Sequence, residues 1–380
     1  MSSLSAAAVG EEGGIDGVAG VHLISAFLAM EPTRCLLSHA KNCGGGSVSL
    51  GSQRFIWDHC ISKNYEQSHA PYVKNFVKKL LSEIESDHGE ALDELYELYA
   101  DYVTSIKEDD SVKGNSWTLK HISFLFPDAS ARLVVPLQCS LNMLEGDTGC
   151  SIWPSSLYLS ELILSHPEHF SGKSCFEVGS GVGLVGVCLA QIKASRVILT
   201  DGDPSSLANL EINLKLNGIT PHNQELDSVE STIVKCVHLP WELAMEYEVQ
   251  DFSPDIILGA DVIYDPLCLP HLVRLLTILL HPKEPSYPRH ILNHKSHKTG
   301  MSSGNSMSRG TGPCSPAKSP DAYISSVIRN AETFNQFLLL ADQANIAIQD
   351  ITETFQPLDL LPYLQSYDRS SIRLFKLSPK

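Results

Sequence analysis

No two cysteines of this 380-residue chain stand in C-x-x-C spacing, and its ten cysteines follow no regular interval. They read as reduced, mostly buried thiols of a cytosolic or nuclear protein, not as a disulfide framework. Long apolar runs are missing too: none approaches the ~20 residues that a membrane span requires. The start of the chain lacks basic residues, with no Lys or Arg before Arg34 but Glu11, Glu12 and Asp16 present. That pattern argues against a secretory n-region and an Arg-rich transit peptide, and Val21–Met30 reads as a packed helix. Basic residues are also the minority overall, 28 Lys+Arg against 44 Asp+Glu, for a formal net charge of −16. Broad, non-specific nucleic-acid binding is disfavoured, and an enzyme or a reader of basic partners fits better. What is present is apolar substance. A hydrophobic content of 43% supports a sizeable core and excludes wholesale disorder. At about 150 residues per domain the length suggests two or three domains.

Four zones follow from local pattern. Residues 1–20, rich in Ser, Ala and Gly, read as a mobile tail. Residues 21–130 read as mostly helical: Tyr72, Phe76, Leu80, Leu81 and Ile84 recur at helical spacing, and Leu92, Leu95, Tyr96, Leu98 and Tyr99 repeat the pattern. From residue 131 short apolar runs alternate with helical stretches. Strands are expected at Ser174–Val178, Arg196–Thr200, Thr232–Val237, Asp255–Gly259, Ala322–Ile328 and Ser371–Leu377, with a short one at Ile346–Thr352. Helices over about 183–191, 204–216, 266–280 and 331–344 lie between them. A βαβα series of this kind is an α/β fold, a doubly wound and mostly parallel sheet, closed here by a hairpin-like end. Residues 281–320 interrupt it with Ser, Gly, Pro, Lys and His and a single acid, Glu284, and read as a disordered insertion. Its His290, His294 and His297 have no Cys or carboxylate set beside them, so no metal site is expected.

The strongest local signal is Glu177-Val-Gly179-Ser180-Gly181-Val-Gly183, where a buried strand passes directly into a helix. Glycines let backbone approach a ligand, and a helix N-terminus offers free N–H groups. A dinucleotide fingerprint requires a third glycine at position 184, which is Leu. The next strand ends in Asp201, where a carboxylate can accept both hydroxyls of an adenosine ribose. Asp203 is placed to cap the helix that begins at Pro204. Glu177 would face an ammonium at the other end of the ligand, since a lone strand-end carboxylate is otherwise expensive to half-bury.

The acid-x-G-x-G-x-G turn resembles that of S-adenosylmethionine-dependent methyltransferases built on a seven-stranded, Rossmann-like class I sheet. Two more segments narrow the resemblance: Ile152-Trp153-Pro upstream, and Ala260-Asp261-Val-Ile-Tyr264 at the end of the fourth strand. Together they resemble the non-SET protein-lysine methyltransferases. Tyr72–Ser86, Leu92–Leu98 and Ile328–Phe334 are similar to the branch of that family directed at elongation factor 2. The resemblance covers roughly 55–380 apart from the insertion. It implies S-adenosylmethionine as cofactor, with contacts at Trp153, Gly179, Ser180, Gly181, Gly183, Trp241 and the Ala260 backbone. Trp241 would stack on the adenine. The family's Leu-Asp-Trp is Leu239-Pro240-Trp241 here, so no Asp side chain can act at position 240.

The resemblance further implies Asp261 as a ligand of the substrate amine and Tyr264 as a channel wall. A carboxylate favours an ammonium, so Asp261 is expected to bind and orient, not to deprotonate. The expected acceptor is a folded protein, elongation factor 2, docked on residues 21–130. A cytoplasmic monomer working without nucleic acid or membrane is expected. Other acceptors (another protein lysine or a small molecule) and a non-catalytic cofactor-binding or chaperone role stay open from the residues alone.

Overall fold

A computed structural model describes residues 17–62, 70–105, 117–128, 131–141, 147–221, 232–281 and 319–380. Residues 1–16 of the expected tail and 282–318 of the expected insertion, with its three histidines, lie outside them. Five helices come first: α1 (Gly17–Leu28), α2 (Thr33–Cys43), α3 (Leu50–Ile56, continued by a π-turn to Ile61), α4 (Ala70–Ser86) and α5 (Asp93–Ser105). The apolar spacing read from the sequence places Phe76, Leu80, Leu81, Ile84 and Leu95 in the core.

Two boundaries differ from the sequence reading. Residues 17–20, counted with the tail, form the first turn of α1, and Gly20 is buried there. The strand signal also starts earlier than residue 131. A hairpin of β1 (Trp117–Leu125) and β2 (Arg132–Ser140) pairs in full register from Trp117↔Ser140 to Leu125↔Arg132. The period-2 signal of β1 is weak because its buried residues, Thr118 and Ile122 to Phe124, are not strictly alternate. Asn213 of a later helix and Asn217, which caps that helix's C-terminus, hold β2 through its backbone at Gln138 and Pro136.

The remainder runs α6 (Pro154–Ser165), α7 (Pro167–Phe170), β3 (Ser174–Val178), α8 (Leu184–Gln191), β4 (Arg196–Asp201), α9 (Pro204–Leu216), β5 (Ile233–His238), α10 (Glu246–Gln250), β6 (Ile256–Ala260), α11 (Leu269–Leu280), β7 (Asp321–Val327), α12 (Ala331–Gln343), β8 (Ile346–Asp350) and β9 (Ile372–Pro379). Seven strands form one sheet in the order β5-β4-β3-β6-β7-β9-β8. All pairings are parallel except the two made by β9, which are antiparallel. Alternate residues feed two cores. Val197, Leu199, Ile256 and Leu258 join one that includes α6, α8, α9 and the N-terminal helices. Phe176, Ile198, Ile257 and Ile324 join another with α10, α11 and α12. Burial on both faces explains why the strands are near-continuous apolar runs. The chain leaves β3 first toward β4 and later, from β6, on the other side. The crevice at such a switch point, beyond the strands' C-terminal ends, is where open α/β sheets bind ligands.

Glu161 of α6 is fully buried and joins the helix to the link between β8 and β9. Its carboxylate accepts from Leu360 N at 2.8 Å and Tyr367 Oη at 2.9 Å, with Arg369 Nε at 3.7 Å. Burial pushes the Glu161 carboxyl up to about 7. Tyr367→Phe removes one of these donors and is expected to lower unfolding stability by about 1–3 kcal/mol. The readout is a lower urea midpoint with an unchanged slope.

Candidate active site

Beyond the C-terminal ends of β3, β4 and β6 lies a cavity of about 500 Å³, within the range of small-molecule sites. The turn after β3 forms its floor. Gly179 and Gly181 both have positive φ, 66° and 50°. A Cβ on Gly179 would stand 3.1 Å from Val262 Cγ1 and 3.6 Å from Trp241 Cζ2; one on Gly181 would stand 3.0 Å from the Gly149 carbonyl oxygen. These glycines keep open a cradle that side chains would fill.

Of the eleven sequence-predicted site residues, Trp153, Gly179, Gly181, Asp201, Trp241, Ala260, Asp261 and Tyr264 line this cavity. Ser180 does not: its N–H donates to the Thr200 carbonyl and its Oγ accepts from Thr200 N at 3.1 Å, stapling the turn to β4. Gly183 caps α8 and packs against Leu210. Glu177 lies beneath the turn, 2% exposed, with Oε2 unpartnered among the described residues. Burial pushes its carboxyl up to about 8, with the Asp201 charge adding to the rise and a Ser180 hydrogen bond opposing it.

Asp201 closes one side. Oδ2 accepts from Gly181 N at 2.9 Å and Oδ1 from Asp203 N at 3.0 Å, so the carboxylate is fixed in place. Burial raises its pKa against the pull of those amides. Each oxygen has a lone pair left for a further donor. Asp203 caps α9 by accepting from Ser205 N and Ser206 N, as the sequence suggests. Burial works against its ionisation, but the hydrogen bonds from Ser205 and Ser206 outweigh this and hold the carboxyl below its ordinary value. Trp241 opens a 3-10 turn whose Trp241, Glu242 and Ala244 carbonyls all accept from Arg274 Nη2.

Asp261 closes the other side and is more engaged than the sequence suggests. Its backbone is left-handed at φ 55°. Oδ1 accepts from Val327 N at 3.1 Å and Arg329 Nη1 at 3.2 Å; Oδ2 accepts from Arg329 Nη2 at 3.3 Å and Ser155 N at 3.4 Å. One carboxylate thus ties the end of β6 to the end of β7 and to the start of α6. The Arg329 guanidinium also lies over the Trp153 ring, 5.2 Å from its centroid, while Trp153 Nε1 donates to the Thr148 carbonyl. Tyr264 stands at the rim, 62% exposed.

Sequence reasoning missed Arg329 and Glu242 as cavity residues. Their one signal is position: Arg329 stands two residues beyond β7, and Glu242 directly follows Trp241. Among the described residues four lining acids (Asp201, Asp203, Glu242 and Asp261) face one basic side chain, Arg329, so the cavity suits a cationic ligand. An adenosyl sulfonium fits what the site offers. It needs a cradle without Cβ atoms, a ribose acceptor, an aromatic surface and an anion for its ammonium. Gly179 and Gly181, Asp201 and Trp241 are of the first three kinds; Glu177, beneath the turn and raised to about 8, becomes an anion only when a cation meets it.

Comparison with known proteins agrees. The lysine methyltransferase family matches residues 135–302. The protein-lysine N-methyltransferase EEF2KMT of Homo sapiens is 26% identical over 305 residues, covering 80% of this chain and 79% of that protein. Its Bos taurus counterpart is 27% identical over 357 residues, covering 90% and 91%. The protein-lysine N-methyltransferase EFM3 of Chaetomium thermophilum is 28% identical over 256 residues, 62% of this chain and 74% of its own. The sheet order, the glycine turn and these relatives agree: residues 135–302 match the lysine methyltransferase family, and the chain is similar over most of its length to protein-lysine N-methyltransferases.

Proposed function

We propose that the chain transfers a methyl group from S-adenosylmethionine to a lysine ε-amine of elongation factor 2. The observation that carries the choice of acceptor is the extent of the similarity. It reaches 90% of the chain in the bovine relative, well beyond the 135–302 segment that marks the family, and so takes in the helices expected to dock a folded protein. A cytoplasmic setting and action as a monomer, without nucleic acid or membrane, go with this reading.

S-adenosylmethionine supplies an electrophilic methyl on a sulfonium. The lysine nitrogen lone pair forms the new N–C bond while the S–C electron pair passes to sulfur, and the methylated ammonium then loses a proton to solvent. The protein's part is alignment and exclusion of water. In our assignment Asp201 accepts from the ribose hydroxyls, Trp241 stacks on the adenine, and Glu177 holds the methionyl ammonium. Gly179, Gly181 and the Ala260 backbone give close approach, Ser180 and Gly183 fix the turn, and Trp153 walls the donor side. Stacking of this sort is worth about 1–3 kcal/mol by analogy with base–aromatic pairs. Asp261 orients the acceptor amine, and Tyr264 walls its channel. The amine must arrive neutral. From a reference pKa of ~10.4 that costs ~4.6 kcal/mol at pH 7.

Incubating the purified chain with labelled S-adenosylmethionine and a cell lysate, followed by mass spectrometry, tests the reading. Label on a lysine of elongation factor 2 supports it; label confined to another protein or a small molecule overturns the acceptor. Donor uptake with no label anywhere favours a non-catalytic role. The Glu177 assignment has its own expected result. At pH 7 its carboxyl, raised to about 8, is mostly protonated, and an ammonium partner favours the ionised form. Uptake of the cofactor should therefore release close to one proton at pH 7. Affinity should rise about tenfold per pH unit below 8 and level off above it. Calorimetry in buffers of different ionisation enthalpy reads both, and Glu177→Gln should abolish them.

A further inference from the structure

The guanidinium on Asp261 answers a difficulty in the proposed reaction. A free carboxylate beside the acceptor would hold lysine as an ammonium, which has no lone pair to attack with. In this structure that carboxylate is not free. Arg329 donates to both of its oxygens, at 3.2 and 3.3 Å, and the Trp153 ring backs the guanidinium. The Asp261 side chain is 5% exposed and that of Arg329 45%, so the pair stands at the border of cavity and solvent. The other titratable groups lining the cavity are Asp201, Asp203 and Glu242 on the donor side, and Tyr264 and Cys268 on the rim. The last two are neutral at pH 7, and desolvation together with the Asp265 charge only raises them further. Among the described residues, Arg329 is thus the lining cation that offsets Asp261.

We propose that Arg329 is a positioning residue that acts through Asp261 to keep the acceptor lysine neutral. Asp261 already accepts four hydrogen bonds, from the guanidinium, Val327 N and Ser155 N, so the entering amine meets it by sharing an occupied oxygen. The carboxylate's charge is balanced, and an ammonium at the same place would meet the guanidinium as a like charge. Desolvation of the pair on docking strengthens that discrimination, because charge interactions grow as water leaves. The inference rests on the proposed lysine methylation.

The test compares the unsubstituted chain with Arg329→Met and Arg329→Lys. Transfer is measured in single turnovers over a range of pH, with saturating S-adenosylmethionine and recombinant elongation factor 2. The acid limb of the saturated rate reports the acceptor's titration in the complex. In Arg329→Met that limb should move up by about one pH unit or more, the size of a close charge-pair effect. The rate at pH 7 should then fall about tenfold or more, and recover at high pH. Apparent KM for the acceptor should fall as well, since a free Asp261 grips the ammonium; a lower rate with a lower KM marks lost discrimination in the bound state. Arg329→Lys should bring the limb back toward its original place. An unmoved limb, or a rate loss equal at every pH, in an Arg329→Met protein that still takes up S-adenosylmethionine overturns the inference alone. Absence of transfer by the unsubstituted chain overturns the reaction itself and the inference with it.

Discussion

Gly179→Val should lower affinity for S-adenosylmethionine at least about 100-fold, a loss of ~2.7 kcal/mol. Two effects combine. Position 179 has φ 66°, a conformation that costs an ordinary L-residue roughly 1–2 kcal/mol and suits a β-branched one worst. The new Cβ would also stand 3.1 Å from Val262 Cγ1 and would enter the cavity between the turn and Trp241. Gly218→Ala is the control. It has φ 73° with open space around it, so it carries the same kind of backbone strain away from the site. Calorimetry should show uptake by Gly218→Ala and almost none by Gly179→Val, with both melting cooperatively. Near-normal uptake by the valine variant would falsify the placement of the donor on this turn.

Asp261→Ala should reduce methyl transfer about 100-fold or more, the scale expected when a reacting group loses its alignment. Donor affinity should change only a few-fold, because Asp201, Trp241 and the glycine turn stay in place. The contrast between the two readouts is the point of the experiment. Asp261 also accepts from Val327 N and Ser155 N, so its loss loosens the junction of three elements. If donor uptake and transfer decline together, the carboxylate is a structural tie and its proposed role toward the amine is wrong. A thermal melt beside each assay separates that outcome from gross unfolding.

The parallel sheet was legible because its inner strands are buried apolar runs ending in a glycine, an acid or a turn, while the edge strand β5 is only half-buried. Arg196–Thr200 and 204–216 match the observed β4 and α9 almost residue for residue. Asp203 was readable as a cap because capping is local chemistry. The hairpin before the sheet was only half legible, since the buried positions of β1 do not alternate and its partner lies beyond the next turn. Arg329 was invisible as a cavity residue for the same reason at longer range. Its partner Asp261 is 68 positions away, and no local pattern connects them. Ser180 and Gly183 show the opposite case. The motif includes them, yet sterics and hydrogen bonding employ them in the turn itself.

The link between β8 and β9 also has a bearing on how the chain comes to be folded. His39 donates to the Tyr363 carbonyl across 324 residues, Glu31 accepts from Ser366 across 335, and Tyr363 Oη accepts from Ser123 N across 240. A ribosome delivers the first members of these pairs many seconds before the last, at about 5–20 residues per second. Meanwhile the opening helices can pack on one another but lack the link they meet in the folded chain, a prolonged aggregation hazard of the sort that chaperones relieve. Interactions so distant along the polymer slow the search for the native state. Synthesis halted just short of Tyr363 should therefore leave a nascent product readily cut by protease, even with the entire glycine turn already outside the exit tunnel.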